Sequence, residues 1–243
     1  MSTSTPGARP ATPRPIDLEY PDRDGKPMSD NTLQFKWIVT IKEGLEALFR
    51  DDPDVFVAGD LLWYPVLGEP KIRFAPDAMV AFGRPKGYRG SYKQWEEAGI
   101  APHVVFEVLS PGNTKPEMRR KLAFYDQYGV EEYYVYDPDH GPLEGWLRGA
   151  AGLKPIDRID GFVSPRLGVA FHPGPGRDNL RILRPDGRPF LAMVELFIER
   201  DAEHARAEAE HSRAEDERRR AVEAESRAAR LAARLRELGL DDD

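Results

Sequence analysis

Two acidic side chains stand inside stretches that otherwise read as strands of a protein interior. Glu107 lies in "VVFEVLSP" (104–111), flanked by Val104, Val105, Phe106, Val108 and Leu109. Asp77 lies in "FAPDAMVAF", after Pro76 and before Ala78, Met79 and Val80. A carboxylate buried there without a cation, a proton or several donors would cost several kcal/mol. Strand alternation puts Asp77 on one face with Met79 and Ala81, and Glu107 on one face with Val105 and Leu109. Two strands joined by a connecting loop are natural neighbours in a sheet, so the two acids can converge. A converging pair shares a proton, flanks a glycosidic bond, or holds a divalent metal.

The residues after Glu107 bear on that choice. "SPGN" leads into a segment carrying Lys115, Arg119, Arg120 and Lys121. Cations brought toward two acids suit an anionic substrate such as a phosphate better than a neutral sugar. Two acids, Mg²⁺ or Mn²⁺, and a lysine make a phosphodiester hydrolase, with the lysine orienting water or stabilising the transition state. Arg84, Lys86, Arg89 and Lys93 are candidates for backbone phosphate contacts, with Lys115 beside the pair. Plainer readings stand next to these. Asp77 after a proline can serve as a turn residue, Arg73 can neutralise Glu107, and Glu117 can pair with Lys121 at i,i+4.

Several elements must position this constellation. From Asn31 the pattern is helical, with Phe35, Ile38, Val39, Leu45, Leu48 and Phe49 as the apolar face and Lys42 its polar exception. Extended segments follow at "VFVAGDLLWYPV", "KIRFAPDAMVAFG" and "HVVFEVLS". The polar stretch between the last two reads as a long loop with a helical turn near Trp95. A second helix fits 115–128, with Met118, Leu122 and Tyr125 on one face and Gly129 as its stop. "VEEYYVYDP" is another strand, and residues 141–190 read as further strands and turns. The order predicts a mixed α/β sheet flanked by helices.

The 243-residue chain is 40% hydrophobic and 32% charged, which suits one medium-sized domain with charged or flexible additions. Residues 1–29, rich in Pro, Ser, Thr and Asp, predict a disordered leader. Residues 30–192 form the expected domain, and 193–243, dominated by Ala, Glu and Arg, a charged helix or coiled coil. Glu215–Arg219, Asp216–Arg220 and Glu223–Arg227 are acid-before-base pairs at i,i+4. With no cysteine, disulfides, thiol nucleophiles and zinc–thiolate sites are excluded. The N-terminus lacks the apolar block of a secretory signal and no run is long enough to span a bilayer, so a cytoplasmic protein without a membrane partner is expected. A net charge of −7 argues against a sequence-blind nucleic-acid coat.

"PDAMVAFG", "VVFEVLSPGNTKPEMRRKLAFYDQYG" and "VEEYYVYDP", in that order, resemble the Uma2 family within the PD-(D/E)XK nuclease superfamily. The resemblance covers about 31–190. It implies a restriction-endonuclease-like mixed sheet flanked by helices, with Asp77 as the first acid of the motif and Glu107 as the second. It also implies that the Val108 backbone carbonyl completes a metal site, and that Gln34 borders it. The superfamily motif places lysine two residues after the glutamate, where this chain has Leu109. In similar relatives that lysine moves to the following helix, which points to Lys121.

The expectation is a metal-dependent endonuclease acting on nucleic acid, DNA foremost, with a homodimer formed through the sheet domain or the C-terminal helix as a further partner expectation. The alternative is an inactive nuclease-like scaffold that works through its C-terminal helix. A glycosidase built on the same two acids is the third reading.

Overall fold

Asn31 opens the first helix by accepting from the backbone N–H groups of Leu33 (3.0 Å) and Gln34 (2.8 Å) through its side chain, as an N-cap does. The computed structural model describes residues 19–22 and 29–237. It divides the chain into two units, Met1–Phe190 and Leu191–Asp243.

In the first unit the elements run α1 (Thr32–Leu48), β1 (Val55–Ala58), β2 (Trp63–Tyr64), β3 (Ala78–Phe82), β4 (Tyr92–Lys93), β5 (Val104–Val108), α2 (Lys115–Gln127), β6 (Glu132–Tyr136), β7 (Leu143–Gly149), β8 (Gly152–Pro155), β9 (Phe162–Val163), β10 (Ala170–Pro173) and β11 (Leu180–Leu183). Six of the strands make a mixed sheet in the order β1-β3-β5-β6-β7-β8. β5 pairs antiparallel with β3 and parallel with β6, so α2 is the crossover between two parallel strands. Every residue of β5 and β6 is buried, as strands covered on both faces must be.

The two faces have different covers. Val104, Phe106, Val108, Tyr134 and Tyr136 pack with Trp37, Ile38, Ile41 and Leu45 of α1 and with Phe171 and Ile182 of the small β9–β11 sheet. Val105, Tyr133 and Val135 pack on the other side with Phe124 and Tyr125 of α2, Trp63 of β2 and Tyr92 of β4. α2 starts at a capping box, in which the Thr114 hydroxyl accepts from the Glu117 N–H (3.3 Å) and the Glu117 carboxylate reaches back to the Thr114 N–H (3.5 Å). It ends two residues before Gly129, which takes the left-handed φ of 97° expected of a helix stop.

Three sequence expectations change. Phe35, placed on the core face of α1, is exposed, and the buried face runs through Gln34, Trp37, Ile38, Ile41 and Leu45. The apolar count missed this phase because Gln34 is buried as a hydrogen-bonded polar residue. Near Trp95 the chain makes turns rather than a helical turn, after β4 has paired in parallel with β2. Within the leader, residues 20–22 are docked. Tyr20 stacks edge-on against Tyr64 (5.2 Å), and the Tyr64 hydroxyl donates to the Pro21 carbonyl (2.6 Å). Residues 1–18 and 23–28 of that expectation lie outside the described residues.

The second unit contains α3 (Met193–Glu237), a single 45-residue helix with no buried residue. Arg219 pairs with Asp216 at i,i+3 (2.7 Å) rather than with Glu215. Among the described residues no helix is long and apolar enough to cross a membrane.

Glu132 fastens β6 to the turn between β9 and β10. It is fully buried and accepts from the Tyr134 hydroxyl (2.9 Å), the Ser164 hydroxyl and the Arg166 N–H (2.6 Å). Glu132→Leu leaves these three donors without their acceptor. Urea denaturation at unchanged slope is expected to show a loss of about 3 kcal/mol.

Candidate active site

The register Ala78↔Phe106 between β3 and β5, continued by one residue, sets Asp77 opposite Glu107. Both acids therefore lie on the α2 face, where alternation puts Met79 and Val105. Asp77 sits at the start of β3 and Glu107 near the end of β5. Since those strands are antiparallel, the acids meet at one end of the sheet.

Glu107 is 2% exposed and both of its oxygens are engaged. Lys121 donates to Oε2 at 2.7 Å and the Tyr125 hydroxyl to Oε1 at 2.5 Å. Lys121 and Tyr125 are four residues apart on α2, so one helix face delivers a cation and a neutral donor to the same carboxylate. Burial works against the Lys121 charge, but Glu107 and Asp77 together hold its pKa above the ordinary lysine value. Burial and the neighbouring Glu107 push the Tyr125 hydroxyl well above its ordinary value, so it remains a protonated donor. Neither Arg73 nor Glu117 takes the part open to it. Arg73 donates to the Pro70 carbonyl (3.0 Å), and Glu117 serves the helix cap.

Asp77 is less well compensated. Its Oδ2 accepts from the Val108 N–H at 2.7 Å. Burial pushes its carboxyl well above the ordinary range, and the charges of Glu107 and Asp60 push the same way against Lys121 and the Val108 N–H. Asp60 sits in left-handed backbone (φ 47°) with its N–H on the Pro76 carbonyl (3.0 Å). The far side of Val108 is held by α1, since Gln34 donates from Nε2 to the Val108 carbonyl (2.8 Å). Gln34 is itself fixed by the Asp30 N–H, which donates to its Oε1 (2.7 Å).

The structure thus brings Asp77, Glu107, Lys121, Val108 and Gln34 together. Among the described residues no group of three or more His, Cys, Asp or Glu is arranged to hold a metal. An ion here would rest on two carboxylates and the Val108 carbonyl. That donor set suits a hard divalent cation. Both Glu107 oxygens and Asp77 Oδ2 also have lone-pair capacity beyond the single bond each accepts.

The four loop cations are otherwise employed. Arg84 and Arg89 both clasp Glu97 (2.8 and 2.5 Å), Lys86 pairs with Glu46 (3.3 Å) and Lys93 with Glu96 (3.5 Å). The expected phosphate contacts thus stand as ion-paired groups rather than free ones, with two arginines sharing the single carboxylate of Glu97 and Glu46 of α1 serving Lys86. Lys115 has no ion pair among the described residues. Tyr125 and Asp60 were missed. For Tyr125 the signal was its spacing from Lys121. For Asp60 nothing in the sequence placed it near Asp77.

Asp77→Asn removes the poorly compensated charge and keeps an acceptor for the Val108 N–H. The folded-state pKa of Asp77 is raised, so the wild type loses stability as pH climbs from the ordinary carboxylate value through the raised one. The variant lacks that loss. Its melting temperature in the metal-free state is expected to exceed the wild type's by about 2–4 °C at neutral pH. The gap should close in acid, which thermal melts across pH would check.

A search of curated proteins finds no match. A solved structure described as a "putative nuclease belonging to DUF820", from Anabaena variabilis, is similar at 14% identity over 56% of this chain and 73% of its own, with a TM-score of 0.42. A family model described as "Uma2: Putative restriction endonuclease" matches residues 23–171. That span is more than half of the chain and carries Gln34, Asp77, Glu107 and Lys121, so the protein belongs to the Uma2 family.

Proposed function

We propose that the protein is a metal-dependent endonuclease that hydrolyses phosphodiester bonds of nucleic acid, DNA foremost, with Mg²⁺ or Mn²⁺ as cofactor. The observation that carries this reading is the apposition of Asp77 and Glu107 at one strand end, with Lys121 held on Glu107 at 2.7 Å. Family membership adds support.

Asp77, Glu107 and the Val108 carbonyl would hold the ion. When bound, it supplies neutralisation of phosphate charge and a water of lowered pKa. The remaining work falls to the chain. The negative charge of Asp77 and Glu107, which now raises the proton affinity of Asp77, would be offset by the ion. Tyr125 keeps Glu107 oriented by donating to Oε1. Lys121, released from Oε2, keeps its proton and presents an ammonium to the attacking water or to a phosphate oxygen. Gln34 fixes the strand end from the opposite face through Val108.

A second reading, a nuclease-like scaffold, is favoured by the full engagement of Glu107 and of the Val108 carbonyl by side chains of the same chain. Calorimetric titration of Mg²⁺ and Mn²⁺, followed by cleavage of mixed nucleic acids with the same samples, separates the two. Under the endonuclease reading Asp77→Asn and Glu107→Gln lose metal binding and at least about 10³-fold of the cleavage rate. Lys121→Met binds the ion at least as tightly, because a competing cation has gone, yet cleaves about 10²-fold more slowly. A wild type that binds no ion would establish the scaffold.

A further inference from the structure

A cleft of about 940 Å³ opens on the same face and at the same end of the sheet, across α2 from the acid pair. Lys121 and Tyr125 point from one flank of the helix to Glu107, and Met118 and Leu122 line the cleft from another. The floor is Tyr133, Val135 and Trp146, with the Tyr133 and Trp146 rings stacked 5.2 Å apart at 27°. The volume lies in the range of small-ligand sites, and the aromatic floor suits a flat ring.

The charges at the rim are unevenly matched. Arg177 pairs with Asp139 (3.1 Å) and His140 with Asp137 (2.8 Å). Lys115 and Arg119, on the first turns of α2, and Glu144, on β7, line the cleft without an ion pair among the described residues. Tyr133 is 1% exposed, and its hydroxyl has no hydrogen-bond partner among the described residues. One wall therefore offers two cations at a helix N-terminus, where phosphates bind well. The opposite wall offers a carboxylate, and between them lies the partly buried Trp146 ring as a stacking surface, backed by the buried Tyr133. These features match the parts of one nucleotide: phosphate, amino-bearing base edge and ring face.

We propose that this cleft receives an unstacked base of the substrate strand, one carrying an exocyclic amino group. The adjoining phosphate lies on Lys115 and Arg119, the ring on Trp146, and the amino group donates to Glu144. The strand then crosses the N-terminus of α2 to bring a neighbouring phosphate to Asp77 and Glu107. The inference rests on the endonuclease reading, and Glu144 would favour cytosine over thymine because only cytosine presents an amino donor there.

The test is fluorescence anisotropy of the full chain, with a chelator present to prevent cleavage. The probes are labelled oligo(dC) of about ten nucleotides, oligo(dT), and an abasic strand of equal length and charge. The wild type is expected to bind oligo(dC) about 5–100-fold more tightly than the abasic strand. Trp146→Leu removes that difference while leaving abasic binding unchanged. Because Trp146 also packs on Tyr133, the exposed Glu144→Ala gives a second reading, bringing the oligo(dC)-to-oligo(dT) ratio to about one. Equal binding of oligo(dC) and abasic strand by the wild type overturns the base cleft and leaves the endonuclease reading standing. So does a dC preference unchanged in both variants. Free dCMP binding as tightly as oligo(dC) would show that the cleft takes a loose nucleotide and overturns the strand assignment. Failure of every strand to bind the wild type overturns the base cleft, while the endonuclease reading, whose cation the chelator removes, is judged by the titration and cleavage assay alone.

Discussion

A carboxylate in the middle of a central strand has to be answered by another element, and Glu107 is answered by α2. Its two oxygens take an ammonium and a hydroxyl from residues one helical turn apart. Breaking such a buried pair on one side costs about 3–5 kcal/mol, more than most packing contacts in the domain. The requirement fixes the rotation of α2 about its axis and its height over the sheet. The capping box at Thr114 and Glu117 then fixes where the helix begins, and so how the loop after β5 must turn.

Val108 carries the same constraint to the other face. Its N–H is held by Asp77 on the neighbouring strand and its carbonyl by Gln34 from α1. Three elements thus converge on one residue at the end of β5, and the acids are held by the fold rather than by a mobile loop. The charge balance is left incomplete. Glu107 has a donor on each oxygen, whereas Asp77 sits among Glu107 and Asp60 with a proton affinity well above normal. Such unfavourable charge held in place by the fold is the usual exchange of stability for function.

Much of this was readable in the residues. Glu107 and Asp77 stood out because acids are rare in apolar strand runs, and alternation let them converge once the two strands paired. Helix α2 announced its span from Lys115 and its stop at Gly129, whereas the capping box of Thr114 and Glu117 went unread. What escaped had no local signature. Glu132 is a buried polar residue fastened to Ser164, 32 residues away, and Gln34, whose partner Val108 lies 74 residues away, entered only through the family resemblance. Tyr125 read as core because its ring is core, and only its hydroxyl belongs to the site. The loop cations looked free because Glu96 and Glu97 were read as part of a polar loop, and because Glu46, the partner of Lys86, lies 40 residues away on α1.

The placement of α2 also explains why the acid pair and the cleft can belong to one surface. Adjacent residues on an α-helix point about 100° apart, so Lys121 and Leu122 necessarily face different neighbours. Lys121 goes to Glu107 and Leu122 to the cleft, with Tyr125 and Tyr133 in contact beneath them at 5.0 Å between ring centres. A helix of 13 residues, capped at its start and anchored by a buried ion pair, moves as one body. The spacing between the acids on one flank and the aromatic floor on the other is then set by the width of a single helix. A strand passing over the N-terminus of that helix meets both without any rearrangement of the sheet.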